Sequence, residues 1–271
     1  MTPSQRYAGR RVLITGGGSG IGQACVLRIL GEGGRVVAAD VSEAGLADTR
    51  AKAAEAGDVS SRLTTVPMDV AAEESVTAGV GRAVEVLGGL DTLVNVAGIL
   101  RSAHFLDTSL ADFEQVLRVN LIGTFLVTRT ALPVLLDGVA PAVVNFSSTS
   151  AAFAHPYMSA YAASKGGIQA MTHALAGEFG KRGVRFNCVQ PASISSGMTE
   201  GVGASRQSVG AGLPADVDYS WFSRVSPLLP LPDKAHFANP DAVAAVVALL
   251  GSPEAFFVTG TEVRIDGGAH T

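Results

Sequence analysis

Thr15-Gly-Gly-Gly-Ser-Gly-Ile-Gly22 follows the apolar run Val12–Thr15 and precedes a helical pattern that extends to about Leu30. Glycines let a diphosphate approach the backbone closely, and the N–H groups at a helix N-terminus attract its charge. The glycines suited to this task are Gly16, Gly20 and Gly22. A Walker A loop is excluded, because Gln23 rather than lysine follows the last glycine. The stretch therefore predicts a dinucleotide-binding turn, with a plain tight connection as the alternative.

Seven apolar runs of strand length alternate with stretches of helical pattern. The runs are rich in Val, Ile and Leu rather than alternating, which is typical of parallel strands covered on both faces. They are Val12–Thr15, Arg35–Asp40, Leu63–Met68, Leu90–Val96, Ala142–Ser147, Val184–Val189 and Glu262–Asp266. Right-handed crossovers between such strands produce a doubly wound sheet. We therefore predict one α/β domain over residues 1–271, a Rossmann-type seven-stranded parallel sheet in a three-layer α/β/α arrangement.

The helical stretches include Glu73–Leu87, Phe113–Leu136 and Ser159–Lys181. Pro133 predicts a kink or an early stop in the second of these. Residues 197–239 interrupt the alternation with Gly, Pro and Ser clusters and interspersed aromatic residues. A loop of this length in a compact domain is usually functional or partly disordered. We predict that it is a substrate-binding lid within the single domain.

Composition limits the classes of function. The net charge of −4 and the pI of about 5.7 argue against non-specific nucleic-acid binding. The longest apolar stretches, such as Ala242–Leu250, are too short to span a bilayer, and no apolar signal-peptide core precedes the first strand. Cys25 and Cys188 are interpreted as a reduced pair, and the five histidines lack metal-ligand spacing. We expect a cytoplasmic protein without metal, membrane or nucleic-acid partners. His155, which lies six residues before Tyr161, is interpreted as a residue on the surface of a loop.

Asp40 ends the second apolar run, about where an acid would bind the two hydroxyls of an adenosine ribose. Its carboxylate would repel a 2′-phosphate, and Val41 follows it, so no cation stands ready for NADP(H). The pattern favours NAD(H), with NADP(H) less favoured. A helix N-cap is the alternative interpretation of Asp40.

Tyr161 and Lys165 lie four residues apart on a predicted helix and hence on one face. A free tyrosine has a pKa of about 10, and a nearby cation favours the phenolate. Ser148 follows the fifth strand, at the edge where a parallel sheet carries its active site. A tyrosine–lysine pair at this spacing also occurs as simple surface decoration. Its position, two crossovers after a nucleotide turn, favours a catalytic role.

These motifs together resemble the short-chain dehydrogenase/reductase family along essentially the whole chain. Tyr161 falls thirteen residues after Ser148, which favours Ser148 over Ser147 as the catalytic serine. The matching residues are the Thr15–Gly22 turn, Asp40, Asp69-Val70, Asn95-Val96-Ala97-Gly98, Asn120, Ser148, Tyr161, Lys165, Pro191, Ile194 and the ending Asp266-Gly267-Gly268.

The resemblance implies a four-residue catalytic site and a set of cofactor contacts. Tyr161 would be the general acid/base, and Ser148 would orient the substrate oxygen. Lys165 would bind the nicotinamide ribose and lower the pKa of Tyr161, and Asn120 would hold a water that relays protons. Besides Tyr161 and Lys165, the implied cofactor contacts are Gly16, Ser19, Gly20, Ile21, Gly22, Asp40, Asp69, Val70, Asn95, Ala97, Gly98, Pro191, Ile194 and Ser196. A homotetramer is also implied, assembled through the helices after the fourth and fifth strands and near the last strand.

Three positions depart from the family pattern. Val96 replaces an asparagine, Ala192 replaces a glycine beside the nicotinamide, and Ser196 stands where threonine is common. None of these changes removes a catalytic group.

We therefore expect an NAD(H)-dependent oxidoreductase that acts on a secondary alcohol or ketone. Two alternatives remain: a 3-oxoacyl carrier-protein reductase, and a dinucleotide-binding sensor without catalysis. The reductase would need NADPH and a basic patch, which Asp40 and the sparse basic residues of 197–239 disfavour. Those basic residues are Arg206, Arg224 and Lys234. The four intact catalytic residues disfavour the sensor.

Overall fold

A computed structural model describes residues 5–57, 60–192, 194–195, 213–218, 220, 226–231 and 237–270. The predicted sheet is confirmed: seven parallel strands form one sheet in the order β3-β2-β1-β4-β5-β6-β7. The strands are β1 (Arg11–Thr15), β2 (Arg35–Asp40), β3 (Leu63–Pro67), β4 (Thr92–Asn95), β5 (Ala142–Phe146), β6 (Arg185–Pro191) and β7 (Glu262–Ile265). The strand order reverses between β1 and β4, so the carboxyl ends of these two strands form the crevice where ligands of such sheets bind.

Helices cover both faces of the sheet. They are α1 (Gly20–Gly31), α2 (Glu43–Glu55), α3 (Glu73–Leu87), α4 (Leu110–Leu117), α5 (Gly123–Leu135), α6 (Ser159–Phe179) and α7 (Pro240–Gly251). Apolar residues of α1, α2 and α7 pack on one face, and those of α3, α5 and α6 pack on the other. This arrangement is the predicted three-layer domain. Among the described helices, none combines the length and apolarity that crossing a membrane requires.

The long helix predicted over Phe113–Leu136 is not continuous. A five-residue π-helical segment, Arg118–Ile122, separates α4 from α5. Such segments break the regular hydrogen-bond ladder and occur often at functional sites. The α5 helix ends at Leu135, two residues beyond Pro133. The sequence prediction missed the π-helical segment because its side chains keep the apolar periodicity of an ordinary helix.

Candidate active site

At two positions of the glycine turn after β1, any side chain would collide with backbone atoms. Gly16 has φ +69°, and a β-carbon there would lie 2.8 Å from the backbone nitrogen of Ala97. A β-carbon on Gly22 would lie 1.9 Å from the carbonyl oxygen of Gly16. Ser19 is the extended N-cap residue of α1, and Ile21 packs partly buried against the core. The turn thus presents bare backbone at the start of a helix, as the sequence predicted.

We expect Gly22→Ala to destabilise the fold by several kcal/mol and to abolish dinucleotide binding. The reason is that the added methyl group overlaps backbone, which cannot move without opening the turn. Gly31→Ala is the matched control, because it lies in the same helix and its β-carbon would meet nothing within 4 Å. That control should be neutral, or more stable by up to about 1 kcal/mol. Thermal unfolding and NADH fluorescence titration measure both effects, and wild-type behaviour of Gly22→Ala would contradict the close contact.

Asp40 at the end of β2 points its carboxylate at the glycine turn. Its Oδ2 accepts a hydrogen bond from the Gly18 N–H at 2.9 Å, and its Oδ1 accepts one from the Ser42 N–H at 2.9 Å. A β-carbon on Gly18 would lie 2.9 Å from the Asp40 carboxyl carbon. The helix-cap alternative for Asp40 is not supported, because the N-cap of α2 is Ser42, whose hydroxyl accepts from the Gly45 N–H.

The connection after β4 meets the glycine turn directly. The Ala97 N–H donates to the Thr15 hydroxyl at 3.3 Å, which joins the ends of β4 and β1. The side chain of Asn95 is buried, and its Nδ2 donates to Thr128 and to Asn145 at 3.0 and 2.9 Å. The Asn95 side chain thus forms its hydrogen bonds within the protein interior, and a contact between this side chain and a cofactor stays a prediction.

The remaining predicted cofactor residues lie along the same edge of the sheet. Asp69 is exposed and its Oδ1 accepts from the Ala71 N–H at 2.9 Å, while Val70 is buried. Pro191 ends β6, and Ile194 is buried and forms an isolated bridge with Ala238. Ser196 lies outside the described residues.

Asn120 is completely buried within the π-helical segment. Its Oδ1 accepts from the Ile99 N–H at 2.8 Å, and its Nδ2 donates to the Ile99 carbonyl at 3.0 Å and to the Ser164 hydroxyl at 3.0 Å. The amide therefore ties the connection after β4 to α6. The predicted water relay through Asn120 stays a prediction, and its side chain acts here as a positioning group.

Ser148, Tyr161 and Lys165 come together at the carboxyl end of β5. Ser148 directly precedes a short 3-10 turn, and its hydroxyl accepts from the Ser150 N–H at 3.2 Å. Tyr161, on α6, forms a side-chain hydrogen bond with this serine, and Lys165 follows one turn later on the same helix. The Lys165 Nζ is 5.5 Å from the centre of the Tyr161 ring, and it donates to the carbonyl oxygen of Phe146 at 2.8 Å. Gly98 adjoins the same ammonium, since a β-carbon there would lie 3.5 Å from Nζ.

Burial controls the titration of both groups. Burial raises the pKa of Tyr161 to about 12, although a hydrogen bond with the Ser148 side chain acts in the opposite direction. Burial lowers the pKa of Lys165 to about 8. The family resemblance implies that Lys165 lowers the pKa of Tyr161. The pKa of the phenol is raised overall, because burial removes water from around it. The effect of Lys165 itself, whose ammonium is bonded to the Phe146 carbonyl, stays a prediction.

Lys165→Met is expected to stabilise the protein at neutral pH. The folded pKa of about 8 lies below the ordinary 10.5, so the unfolded chain binds more protons between these values. Wild-type stability should therefore rise with pH through this window, and the full cost of the buried charge is present below pH 8. This difference in the pKa of Lys165 corresponds to about 3 kcal/mol in the free energy of unfolding. The loss of the hydrogen bond to Phe146 in the variant offsets about 1 kcal/mol of that gain.

We thus expect the variant to be more stable by about 2 kcal/mol at pH 7, with the gap closing toward pH 10. Urea unfolding of both proteins at the two pH values measures it. A gap that widens with pH would contradict the buried cation.

The described part of the predicted lid, residues 197–239, comprises 213–218, 220, 226–231 and 237–239. The Asp218 N–H donates to the Tyr157 hydroxyl at 3.1 Å, and the His104 Nε2 lies 2.8 Å from the Asp216 carboxylate. Tyr157 has φ +67°, a strained conformation for a residue other than glycine. These contacts place residues 216–218 beside His104 and Tyr157, just before α6, and the function of the segment as a lid stays a prediction.

Sequence reasoning missed several supporting residues. Gly18 pairs with Asp40, and Ser164 receives the Asn120 amide. His270 stacks on Phe153 of the connection after β5, and its Nδ1 lies 3.0 Å from the Asp266 Oδ2. The Gly-rich turn was a signal for Gly18, and the Asp-Gly-Gly ending was a signal for His270. No local motif indicates a role for Ser164. Within the described part of the chain, no group of three or more His, Cys, Asp or Glu residues could hold a metal ion.

Comparison with known proteins agrees with this geometry. The sequence profile of the short chain dehydrogenase family matches residues 10–207. A 3-oxoacyl-[acyl-carrier-protein] reductase of Thermotoga maritima is 35% identical over 97% of this chain and 98% of its own length. Levodione reductase of Leifsonia aquatica is 34% identical over 98% of this chain and 96% of its own. The crystal structure of a short chain dehydrogenase from Mycobacterium paratuberculosis bound to NAD superimposes with a TM-score of 0.86 at 27% identity, covering 97% and 98% of the two chains.

Proposed function

The chain belongs to the short-chain dehydrogenase/reductase family, and we propose that it is an NAD(H)-dependent oxidoreductase that interconverts a secondary alcohol and a ketone. The observation that carries the proposal is the meeting of three side chains at the carboxyl end of β5. There the phenol of Tyr161 interacts with Ser148 and lies beside the buried ammonium of Lys165.

The crevice suits a dinucleotide. Gly16 and Gly22 present backbone where any β-carbon would collide, so a diphosphate can approach the helix N-terminus. Asp40 stands next to this turn with its carboxylate held by two backbone N–H groups. Lys165 supplies a buried cation that would bind the ribose hydroxyls near the nicotinamide. When bound, the nicotinamide would donate or accept the hydride.

The side chains of this chain would handle the proton. Ser148 would hold the substrate oxygen, and the Tyr161 hydroxyl would exchange a proton with it. With its pKa raised to about 12, Tyr161 is protonated at neutral pH, which is the form that ketone reduction needs. Alcohol oxidation needs the phenolate, so its rate should rise with pH. Lys165 would favour that phenolate, and Asn120 would keep the connection after β4 in place against α6.

Asp40 supports NAD(H) rather than NADP(H). A carboxylate accepts hydrogen bonds from two ribose hydroxyls, whereas a 2′-phosphate at the same place would meet like charge. One structural neighbour carries NAD according to its description. The two buried and unpaired cysteines, Cys25 and Cys188, support a reducing compartment and hence a cytoplasmic enzyme.

A 3-oxoacyl carrier-protein reductase is the second candidate, and the relative from Thermotoga maritima favours it. This activity would require the protein to turn over 3-oxoacyl thioesters. The basic residues that could meet an acidic carrier, Arg206, Arg224 and Lys234, lie outside the described residues. A non-catalytic sensor is disfavoured by the complete catalytic set.

A substrate screen tests the proposal directly. Secondary alcohols are offered with NAD, ketones with NADH, and a 3-oxoacyl thioester with either reduced cofactor, while NADH or NADPH absorbance is followed. Turnover of alcohols or ketones is the expected result. Turnover restricted to the thioester with NADPH favours the second candidate, and binding of dinucleotide without any turnover favours the sensor.

Assembly into a homotetramer is part of the proposal. Large apolar side chains are exposed at two of the places where the family resemblance puts subunit contacts. Phe125 on α5 is 44% exposed, and Phe256 and Phe257, between α7 and β7, are 77% and 90% exposed. Exposed apolar groups of this size are typical of protein–protein contacts.

The double substitution Phe256→Asp and Phe257→Asp is expected to split the tetramer into smaller species. Two carboxylates buried in an apolar contact would cost far more than the lost packing alone. Size-exclusion chromatography with light scattering measures the mass. Val139→Asp is the control, because Val139 is 69% exposed between α5 and β5, outside these places, and its substitution should leave the mass unchanged. A monomeric wild-type protein would contradict the assembly.

A further inference from the structure

A stack of rings joins the chain after β7 to the connection after β5, at the carboxyl edge of the sheet. The Arg264 guanidinium lies 4.9 Å from the centre of the Phe153 ring, and the His270 ring stacks on Phe153 with centres 4.3 Å apart. The His155 ring follows, 5.5 Å from that of His270. His155, expected to be a loop-surface residue, is instead half-buried. Arg264 and His270 therefore pack against Phe153 and His155, which lie in the connection after β5, five and seven residues after Ser148.

Asp266 determines which nitrogen of His270 carries its proton. The Asp266 carboxylate accepts from the Gly268 and His270 N–H groups at 3.0 and 3.1 Å, and its Oδ2 is 3.0 Å from the His270 Nδ1. Burial raises the pKa of Asp266, but these hydrogen bonds and Arg264 outweigh it and hold that pKa below its usual value. A carboxylate can only accept, so Nδ1 is the donor, and in the tautomer protonated at Nδ1 the lone pair is on Nε2.

The Nε2 atom of His270 is buried, and in the described part of the chain it has no hydrogen-bond partner. The whole side chain is only 5% exposed. Buried polar atoms without partners are rare in native proteins, and each asks for an explanation. A second such atom, the Ser150 hydroxyl oxygen, lies on the same connection two residues after Ser148. Two polar atoms are therefore left without partners on or against the connection after β5: the Ser150 hydroxyl oxygen, and the Nε2 of His270, whose ring stacks on Phe153.

His155 presents the same kind of group. Its Nδ1 lies 3.1 Å from the carbonyl oxygen of Phe153, which can only accept, so this nitrogen is the donor. Its Nε2 is the acceptor, 3.5 Å from the Thr149 hydroxyl. The His155 lone pair is thus taken up by Thr149, and the lone pair left without a partner in this pair of rings is that of the His270 Nε2. Such a lone pair recognises a hydrogen-bond donor and rejects an anion, the more so because the Asp266 carboxylate stands behind His270.

We propose that His270, oriented by Asp266 and flanked by His155, is a substrate subsite that accepts a hydrogen bond from a second hydroxyl group. The substrate class is therefore a diol or polyol, in which one hydroxyl is oxidised between Ser148 and Tyr161 and another is held by the His270 Nε2. The inference rests on the proposed oxidoreductase function. The chain after β7 is itself held by the Leu228 and Leu229 N–H groups, which donate to the Gly267 carbonyl at 2.9 and 3.0 Å.

Matched substrate pairs test the subsite. Cyclohexanol is compared with the 1,2-, 1,3- and 1,4-cyclohexanediols, and 2-butanol with 2,3-butanediol, in wild type and in His270→Phe. The phenyl ring preserves the stack and removes both nitrogens. We expect wild type to favour at least one diol by about tenfold in kcat/KM, and the variant to lose that preference while oxidising the monoalcohols as before. Equal use of alcohols and diols by wild type, or an unchanged preference in the variant, overturns the inference.

A binding measurement keeps the test independent of turnover. The chain has five histidines, so ¹⁵N-histidine labelling gives few signals, and the spectrum of His270→Phe assigns the one of interest. We expect the Nδ1-protonated form, and an Nε2 resonance that shifts when the preferred diol joins the NADH complex but not when the monoalcohol does. A proton on Nε2, or no shift with any diol, overturns the subsite. Failure of the oxidoreductase proposal looks different, since no alcohol, diol or ketone would then be turned over.

Discussion

Tyr161→Phe is expected to lower turnover by about a thousandfold while leaving the affinity for NADH nearly unchanged. The substitution removes only the phenolic oxygen, which is the group proposed to exchange the proton with the substrate. The ring that faces the Lys165 ammonium remains, so the packing of α6 against β5 is retained. Steady-state kinetics and NADH fluorescence titration measure the two quantities separately.

Tyr7→Phe is the matched control for this experiment. Tyr7 is fully buried in the core formed with α1 and α7, and its hydroxyl has no hydrogen-bond partner. Removal of that oxygen should therefore change neither turnover nor cofactor affinity. Full activity of Tyr161→Phe would contradict the proposed mechanism. An equal loss in both variants would show that the effect comes from the fold rather than from the site.

Asp40→Ala is expected to weaken NADH binding by about 150-fold and to reduce the preference over NADPH. Hydrogen bonds to a charged group contribute about 1.5–3 kcal/mol each, and two ribose hydroxyls would lose theirs. The alanine also frees the Gly18 N–H, so part of the loss would come from the turn itself.

Asp40→Asn separates these two contributions. The amide oxygen still accepts from a backbone N–H, whereas the charge that repels a 2′-phosphate is gone. We expect this variant to improve NADPH affinity relative to NADH, and to lose about 1–3 kcal/mol of stability because only one of the two backbone N–H groups keeps an acceptor. Calorimetric titration of both cofactors measures the ratio. Tighter binding of NADPH than NADH by the wild-type protein would refute the role given to Asp40.

Much of the fold could be predicted because parallel strands and their crossover helices leave separate local patterns. Continuous apolar runs such as Ala142–Ser147 indicate strands covered on both faces, and their alternation with helices leaves few topologies. The strand limits differ by a few residues, since β4 is Thr92–Asn95 rather than Leu90–Val96. The π-helical segment Arg118–Ile122 was missed, because a widened turn depends on hydrogen bonds rather than on which side chains are apolar.

The candidate site was predictable wherever a motif lies within one element. Tyr161 and Lys165 lie on one face of their helix whatever the helix packs against. The glycine turn is a short continuous motif, so it could be recognised from the sequence alone. Contacts between distant segments were not predictable in the same way. The Asn120 amide binds the connection after β4, and the Asp266–His270 pair leaves a buried nitrogen beside the connection after β5.

By itself, the sequence determined the doubly wound parallel sheet, the glycine turn with its acidic neighbour, and the family to which the chain is similar. These depend on periodicity and spacing, which a linear chain contains. Only the tertiary structure decided the titration of the site, because the pKa of Tyr161 rises and that of Lys165 falls through loss of water around them. Desolvation depends on what distant segments pack against a group, and no local pattern of residues specifies that.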